Sequence, residues 1–474
     1  MFGARGNWTA TDHYVDRGGE NLLRAPIRVR LNKLWAACLS IGLSACGPQV
    51  TEFAIPDDAE VLPGYPTLGT LLPAGHTGYS NESLADLFVR LTHDLEWGGR
   101  RPHLIRYEVP INVGLTGPSS GQYQGFLDRY LAEVRAYTDI PIARGSSPHN
   151  LLIRFVPGDD FRTKVPRHVC VVAPDALSWE TFRKDPDRYG TQAFERQRKL
   201  SAMTVFIPDN AAPWLIRSCL VEEIAQALGP VNDLYGLGPT IFNDDGAHTW
   251  PTRLDFLMLK VLYSPGMKTG FSRRTTRREV RAILDTLNPG GHTARPLPSL
   301  RQREMKVWAE QLREASQSGK SAAARQRAAN RALAMAVRRA PGSAYHCHSL
   351  IVLARASGND PSAEVGVLER AERICARAHG PEDIRLARLK LERARATFRT
   401  GRASAALSLS ENLETTLAGH GQDDRLVAFY ALQEAALRAI QQGTRSFRAR
   451  RQAGAWGAYA LGRNNPDVRL LLSR

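Results

Sequence analysis

Between Leu220 and Gly229 the chain reads Leu-Val-Glu-Glu-Ile-Ala-Gln-Ala-Leu-Gly. The pattern predicts a helix that begins near Ala212-Pro213 and stops at Gly229-Pro230, since proline suits a first turn and a Gly-Pro pair ends a helix. Residues four apart share one face, so Glu222 and Gln226 point together. Glu222 and Glu223 are adjacent carboxylates that repel, and burial of either one favours its protonated form.

This helix closes a regular series of elements. Tyr107–Leu115 reads as a strand, with Pro110 implying an edge or a bulge. Gln122–Thr138 carries Phe126, Tyr130, Leu131, Val134 and Tyr137 at helical spacing. Asn150–Val156, His168–Val172 and Ala202–Pro208 read as further strands. Beyond the glutamates, Thr252–Tyr263 and Arg277–Leu287 are expected to be helices, and Asn288-Pro-Gly-Gly291 with Pro296-Leu-Pro298 marks a boundary.

A chain of 474 residues exceeds what one core usually serves, so two or three domains are expected. No apolar run reaches the roughly 18 residues of a spanning helix. A shorter run, Leu34 to Ala45, follows Arg28, Arg30 and Lys33 and precedes Cys46-Gly47. A basic flank, an apolar stretch and small residues before a break describe an export signal over residues 1–45. Leu43-Ser44-Ala45-Cys46 fits the bacterial lipobox, in which Cys46 is acylated and becomes the new N-terminus. An uncleaved anchor or a buried helix is the plainer alternative. Residues 1 to about 26 are long and polar for a signal, consistent with a start codon further downstream. Loss of 1–45 lowers the net charge from +16 to +13. Residues 46–99 are polar and interrupted, as in a tether. The expected location is the bacterial envelope, lipid-anchored through Cys46 and facing the periplasm; Gly47 after the lipidated cysteine points to the outer membrane.

Four further cysteines allow three pairings, and an oxidising compartment permits disulfides. Keeping pairs within one domain favours Cys170 with Cys219, while Cys347 and Cys375 are left equally open to a disulfide or to free buried thiols. No CxxC is present.

The segment 300–474 reads as all helical. His379-Gly-Pro-Glu-Asp-Ile-Arg-Leu-Ala387 recurs 41 residues on as His420-Gly-Gln-Asp-Asp-Arg-Leu-Val-Ala428. Ala387, Leu391, Ala394 and Phe398 map onto Ala428, Leu432, Ala435 and Ala439, a stripe at helical spacing. With Gly401 and Ala406-Leu407 placed as in a helical hairpin, this resembles tetratricopeptide-like repeats of long unit, with a weaker first unit over about Ser321–Gly358. A nonrepeating bundle is the alternative. Between Arg273 and Ala340 there are sixteen Lys/Arg against five Asp/Glu. In an exported chain this excess suits anionic headgroups or envelope polymers better than nucleic acid, and a solvated helix face is the default.

The glutamate helix and the order of strands before it resemble the upper half of zincin peptidases, whose helix carries His-Glu-x-x-His. Glu223 stands where the resemblance places a general base. Glu222 and Gln226 stand in two histidine positions, and Asn232, followed by Asp233, in a third. A neutral amide is a poor zinc donor. Glu222, Glu223, Gln226, Asn232, Asp233, Asn243, Asp244 and Asp245 form an oxygen-rich set that suits a hard cation such as calcium better than zinc, and His248 alone supplies a nearby imidazole. Three readings follow: a polar network around a retained helix, an oxygen-ligated divalent cation, or zinc hydrolysis. Cys219-x-x-Glu222-Glu223-x-x-Gln226-Ala-Leu-Gly229, Asn232-Asp233, Ile241-Phe-Asn-Asp244 and Tyr263-x-Pro265-Gly266-Met267 resemble the exported bacterial family grouped as domain of unknown function 2927 over roughly 100–290. That resemblance implies that Gln226 is a family trait, and it implies no activity. No nucleophile elbow is present.

The expected architecture is therefore an α+β zincin-like domain over 100–291 followed by an all-α tetratricopeptide-like domain over 300–474. The expected function is non-catalytic binding or scaffolding, with a protein or peptide partner taken in the groove of the repeats. A metal-dependent hydrolase with Glu223 as base is the alternative.

Overall fold

Five short strands form one sheet: β1 Ile111–Thr116, β2 Ile142–Arg144, β3 Leu151–Val156, β4 Val171–Pro174 and β5 Met203–Pro208, in the spatial order β2-β1-β3-β5-β4. Neighbours pair in parallel except β4, which runs antiparallel to β5 at one edge. β5 is buried at every position, the near-continuous apolar run expected of a strand covered on both faces. The edge or bulge implied by Pro110 is not found. β1 starts one residue later and is paired on both sides, and Pro110 lends only its carbonyl, which accepts from Asn150 Nδ2 at 3.0 Å.

The computed structural model describes residues 78–472 apart from 96–98, 167, 235–238, 244–245, 295, 297–299, 301, 318 and 358–359. The expected signal over 1–45, the acylation site Cys46 and the first part of the expected tether lie outside the described residues. Among the described residues no helix is long and apolar enough to cross a membrane.

The later part of the expected tether is not a tether. Residues 81–93 form α1, Asn81–His93, capped by Ser80, whose hydroxyl accepts from Ser83 N at 3.2 Å. Leu84, Leu87, Phe88 and Leu91, spaced i, i+3, i+4 and i+7, enter the same core as the sheet. The opposite side of α1 pairs by charge: Glu82 with Arg277 and Arg281, and Asp86 with Arg277 at 2.6 Å.

The crossover helix α2, Gln124–Thr138, buries Leu127, Tyr130, Leu131 and Val134 against the sheet layer. Short helices follow: α3 Gly158–Lys164, then α4 Trp179–Phe182, α5 Pro186–Tyr189 and α6 Thr191–Arg196 between β4 and β5. The glutamate helix α7, Pro213–Ala227, packs beneath β4 and β5. Helix α8, Arg253–Leu262, opens on a capping box in which Thr252 and Asp255 satisfy each other's backbone donors. Helix α9, Arg273–Leu287, completes the α/β unit.

The rest is helical: α10 Gln302–Ser316, α11 Ala322–Arg339, α12 Ala344–Ala356, α13 Pro361–His379, α14 Ile384–Arg399, α15 Ala403–Leu409, α16 Leu413–Gly419, α17 Asp423–Ala439, α18 Gly443–Leu461 and α19 Pro466–Leu472. Neighbours in sequence pack on one another from α10 to α14 and again from α17 to α19. Cys347 on α12 is bonded to Cys375 on α13. The 41-residue stripe is only partly kept. Ala387, Leu391, Ala394, Ala428 and Leu432 are buried in one cluster, whereas Ala435 is half-buried and Ala439 exposed. The hairpin partner of α14 is split: the chain breaks between α15 and α16 at Asn412, whose φ is +64°.

The two regions interlock. Ala247 enters the cluster formed by α14, α16 and α17, and Trp214 of α7 packs against Val427 and Ala458. Thr249 Oγ1 donates to Gly421 O at 3.1 Å, and Gln422 Nε2 donates to Ala247 O at 3.1 Å. The starts of α14 and α17 are thus covered by the α/β unit itself.

Candidate functional site

Helix α7 is held at both ends and in the middle. Pro213 occupies its first turn, and Tyr130 Oη of α2 donates to Val221 O at 2.9 Å. At the far end Gly229 has φ +136°, and a Cβ there would lie 2.9 Å from both Ile105 O and Leu262 Cδ2. Only glycine fits this backbone and this space. Tyr263 Oη donates to Leu228 O at 2.9 Å, and Arg101 Nη1 donates to Gly229 O at 3.1 Å. Arg101 is fully buried, lies 5.0 Å from the Phe194 ring centroid and also donates to Gln197 Oε1 at 2.6 Å. Burial pushes its guanidinium down to about 9. Sequence reasoning missed Arg101, since a lone arginine ahead of β1 carries no periodic signal.

Glu223 faces inward, with 7% of its surface exposed. The backbone N–H of Val172, on β4, is near its carboxyl. Burial, reinforced by the nearby Asp233 charge, pushes it up to about 8, and the Val172 donor offsets part of that rise. The disulfide Cys170–Cys219 joins the same two elements: Cys219 lies one turn before Glu223, and Cys170 immediately precedes β4. β4 and α7 are therefore clamped covalently.

The other residues singled out from sequence separate into distinct roles. Gln226 is buried, and its Nε2 donates to both oxygens of Asp233, at 3.1 and 3.2 Å. Glu222 is only half-buried on the neighbouring face. Asn232, in the third expected ligand position, turns toward α1 and donates to Arg90 O at 3.0 Å. Asn243 is buried in the following loop, and Asp244 and Asp245 lie outside the described residues. His248 leaves the site altogether. Its Nε2 accepts from Arg385 Nη1 at 3.1 Å and stands 3.8 Å from Asp383 Oδ2, at the junction with α14.

This arrangement does not fit zinc. Gln226 presents its amide nitrogen to Asp233, which leaves only a neutral amide oxygen in place of an imidazole, and that is a poor zinc donor. Among the described residues no group of three His, Cys, Asp or Glu side chains is placed to hold a metal ion. What the geometry does provide is a buried polar set, Glu223 beside the Gln226–Asp233 pair, in which burial favours a protonated carboxyl near neutral pH.

That protonation gives stability a definite pH sign. Above about pH 4.5 the unfolded chain loses a proton that the folded chain keeps until about pH 8, so folding weakens as pH rises through this window. Glu223→Gln mimics the protonated acid and cannot ionise. It should match wild type below pH 4.5 and exceed it by on the order of 3 kcal/mol at pH 7, at about 1.4 kcal/mol per unit. Urea unfolding of both chains at several pH values reads this difference. Equal stability throughout would mean that the folded carboxyl is ionised.

The fold and site define a mixed α/β unit built around a clamped glutamate helix and extended by a helical region. Residues 81–286 match the family model described as Protein of unknown function (DUF2927), and this segment belongs to that family. The match opens on the first residue of α1 and closes in the last turn of α9, so it covers the α/β unit and leaves the helical region outside. No curated protein and no solved structure matches the chain.

Proposed function

We propose that the chain is a lipid-anchored envelope protein whose α/β unit is a zincin-like fold used for binding rather than hydrolysis. The observation that carries this reading is the pair of hydrogen bonds from Gln226 to Asp233. They turn the amide nitrogen to a neighbouring carboxylate and leave only a neutral amide oxygen, a poor zinc donor, in a ligand position. Glu223 supports the same reading, because a base must be ionised to accept a proton, and this carboxyl is held mostly protonated at neutral pH.

In this proposal the tetratricopeptide-like helices act first as a brace. Loop 246–250 and α7 occupy the starts of α14 and α17, so a protein partner engages the remaining helix faces. Anchoring through Cys46 would keep this assembly at the membrane, since acyl chains supply affinity per buried methylene.

One observation favours a second reading. A buried carboxyl titrating near 8 resembles the tuned acids and bases of enzymes, and a metal-dependent hydrolase with Glu223 as base would need it. Calorimetric titration of the purified chain with zinc and with calcium separates the two. The binding reading expects no stoichiometric uptake of either ion. Tight uptake abolished by Glu222→Ala with Gln226→Ala would favour the hydrolase.

A further inference from the structure

Helix α18 is divided along its length. Its C-terminal half belongs to the interior: Ala458, Ala460 and Leu461 join the cluster that holds Trp214, and Tyr459 O accepts from Arg217 of α7 at 3.2 Å. Its N-terminal half projects. Thr444, Arg445, Phe447, Arg448, Arg451 and Gln452 are exposed, while Ser446, Ala449 and Ala453 are buried. The exposed positions fall at i, i+1, i+3, i+4, i+7 and i+8, one continuous face.

Two features set this face apart from a solvated surface. The nineteen residues of α18 include four arginines and no aspartate or glutamate. In its middle stands Phe447, 56% exposed and, among the described residues, the most exposed aromatic of the large apolar side chains. The wider setting has the same sign, with thirty Lys/Arg against sixteen Asp/Glu over residues 300–474.

We infer that the exposed half of α18 is a docking face for an anionic lipid bilayer, with Arg445 and Arg448 meeting headgroup phosphates and Phe447 entering the headgroup–acyl boundary. The arginines alone would suit any polyanion. Phe447 decides for the bilayer, because an aromatic ring flanked by cations finds an apolar phase there to leave water for, as amphipathic interfacial helices do. The contact is independent of acylation at Cys46. It also has a structural consequence. Tyr459 lies twelve residues beyond Phe447, roughly 18 Å along the helix axis, and its carbonyl holds Arg217. A bilayer met at Phe447 therefore sets the orientation of α7, the glutamate helix, relative to the membrane.

The test is vesicle flotation of the full chain carrying Cys46→Ser, so that no acyl chain contributes, on phosphatidylcholine vesicles with and without phosphatidylglycerol. The expected result is binding that requires phosphatidylglycerol and weakens with salt. Arg445→Glu with Arg448→Glu should lower the partition coefficient about tenfold or more. Arg445→Lys with Arg448→Lys should retain it, Phe447→Ala should weaken it several-fold, and Phe447→Trp should preserve it. All these side chains are exposed, so unchanged melting confirms that the variants fold. Equal flotation on both vesicle types, or wild-type binding by the Glu and Ala variants, would overturn the proposal. Loss of oligonucleotide or acidic-polysaccharide binding in the Glu variant, with flotation unchanged, would assign the face to a polymer and overturn it too.

Discussion

Replacing Arg217 by alanine should destabilise the full chain by roughly 3–5 kcal/mol, the range for breaking a buried ion pair. Arg217 leaves the middle of α7, donates to Asp423 Oδ2 at 2.7 Å and to Tyr459 O at 3.2 Å, and lies 3.9 Å over the Tyr459 ring centroid. The two charged side chains are only 7% and 4% exposed. Desolvation of the pair is compensated only while both partners are present, so the cost of Arg217→Ala is mainly that of a stranded Asp423 carboxylate. Asp423→Ala should show a similar loss for the converse reason. The pair Arg217→Met with Asp423→Leu should recover part of it, because no buried charge is left unpaired. Urea unfolding followed by far-ultraviolet circular dichroism measures all three. A second expected sign is a broadened or two-step transition in Arg217→Ala, since this pair couples the glutamate helix to α17. An Arg217→Ala chain as stable as wild type would show that the two regions fold without regard to each other.

Replacing Cys170 and Cys219 together by serine should cost about 4 kcal/mol, the chain-entropy expectation for a separation of 49 residues. Substituting this pair alone leaves Cys347–Cys375 intact, which chemical reduction would not. Beyond global stability, the change removes the covalent clamp between β4 and α7. β4 is the edge strand next to that bridge, so amide exchange at Val172 should accelerate more than exchange in β3 or β5. Uniform acceleration across the sheet would mean that the disulfide acts only on the unfolded chain.

β3, β5 and α7 could be read from sequence because their signals are local, whereas β2, three residues long, gave no such signal. β3 and β5 are short apolar runs, and α7 opens on proline and ends at a glycine whose φ and crowding admit nothing larger. Helix α1 was hidden for a different reason: a single amphipathic helix with frequent polar residues resembles a linker until its partner α9 is known. The roles of individual site residues were less legible still, since partner choice depends on segments far away in sequence. Asn232 meets Arg90, 142 residues earlier, and His248 meets Arg385, 137 residues later. Gln226 was recognisable as a poor ligand. Its bond to Asp233, seven residues on, was not, because both side chains had been read as donors to a common ion.

The account rests on Glu223 being a protonated strut rather than a base, and peptide hydrolysis tests that most directly. Wild type and Glu223→Gln are incubated with a mixed peptide substrate at pH 7 and pH 8.5, with zinc or calcium supplied, and cleavage is read by mass spectrometry. The account predicts the same background for both chains at both pH values. Cleavage that needs Glu223 and increases as its carboxyl ionises would contradict it.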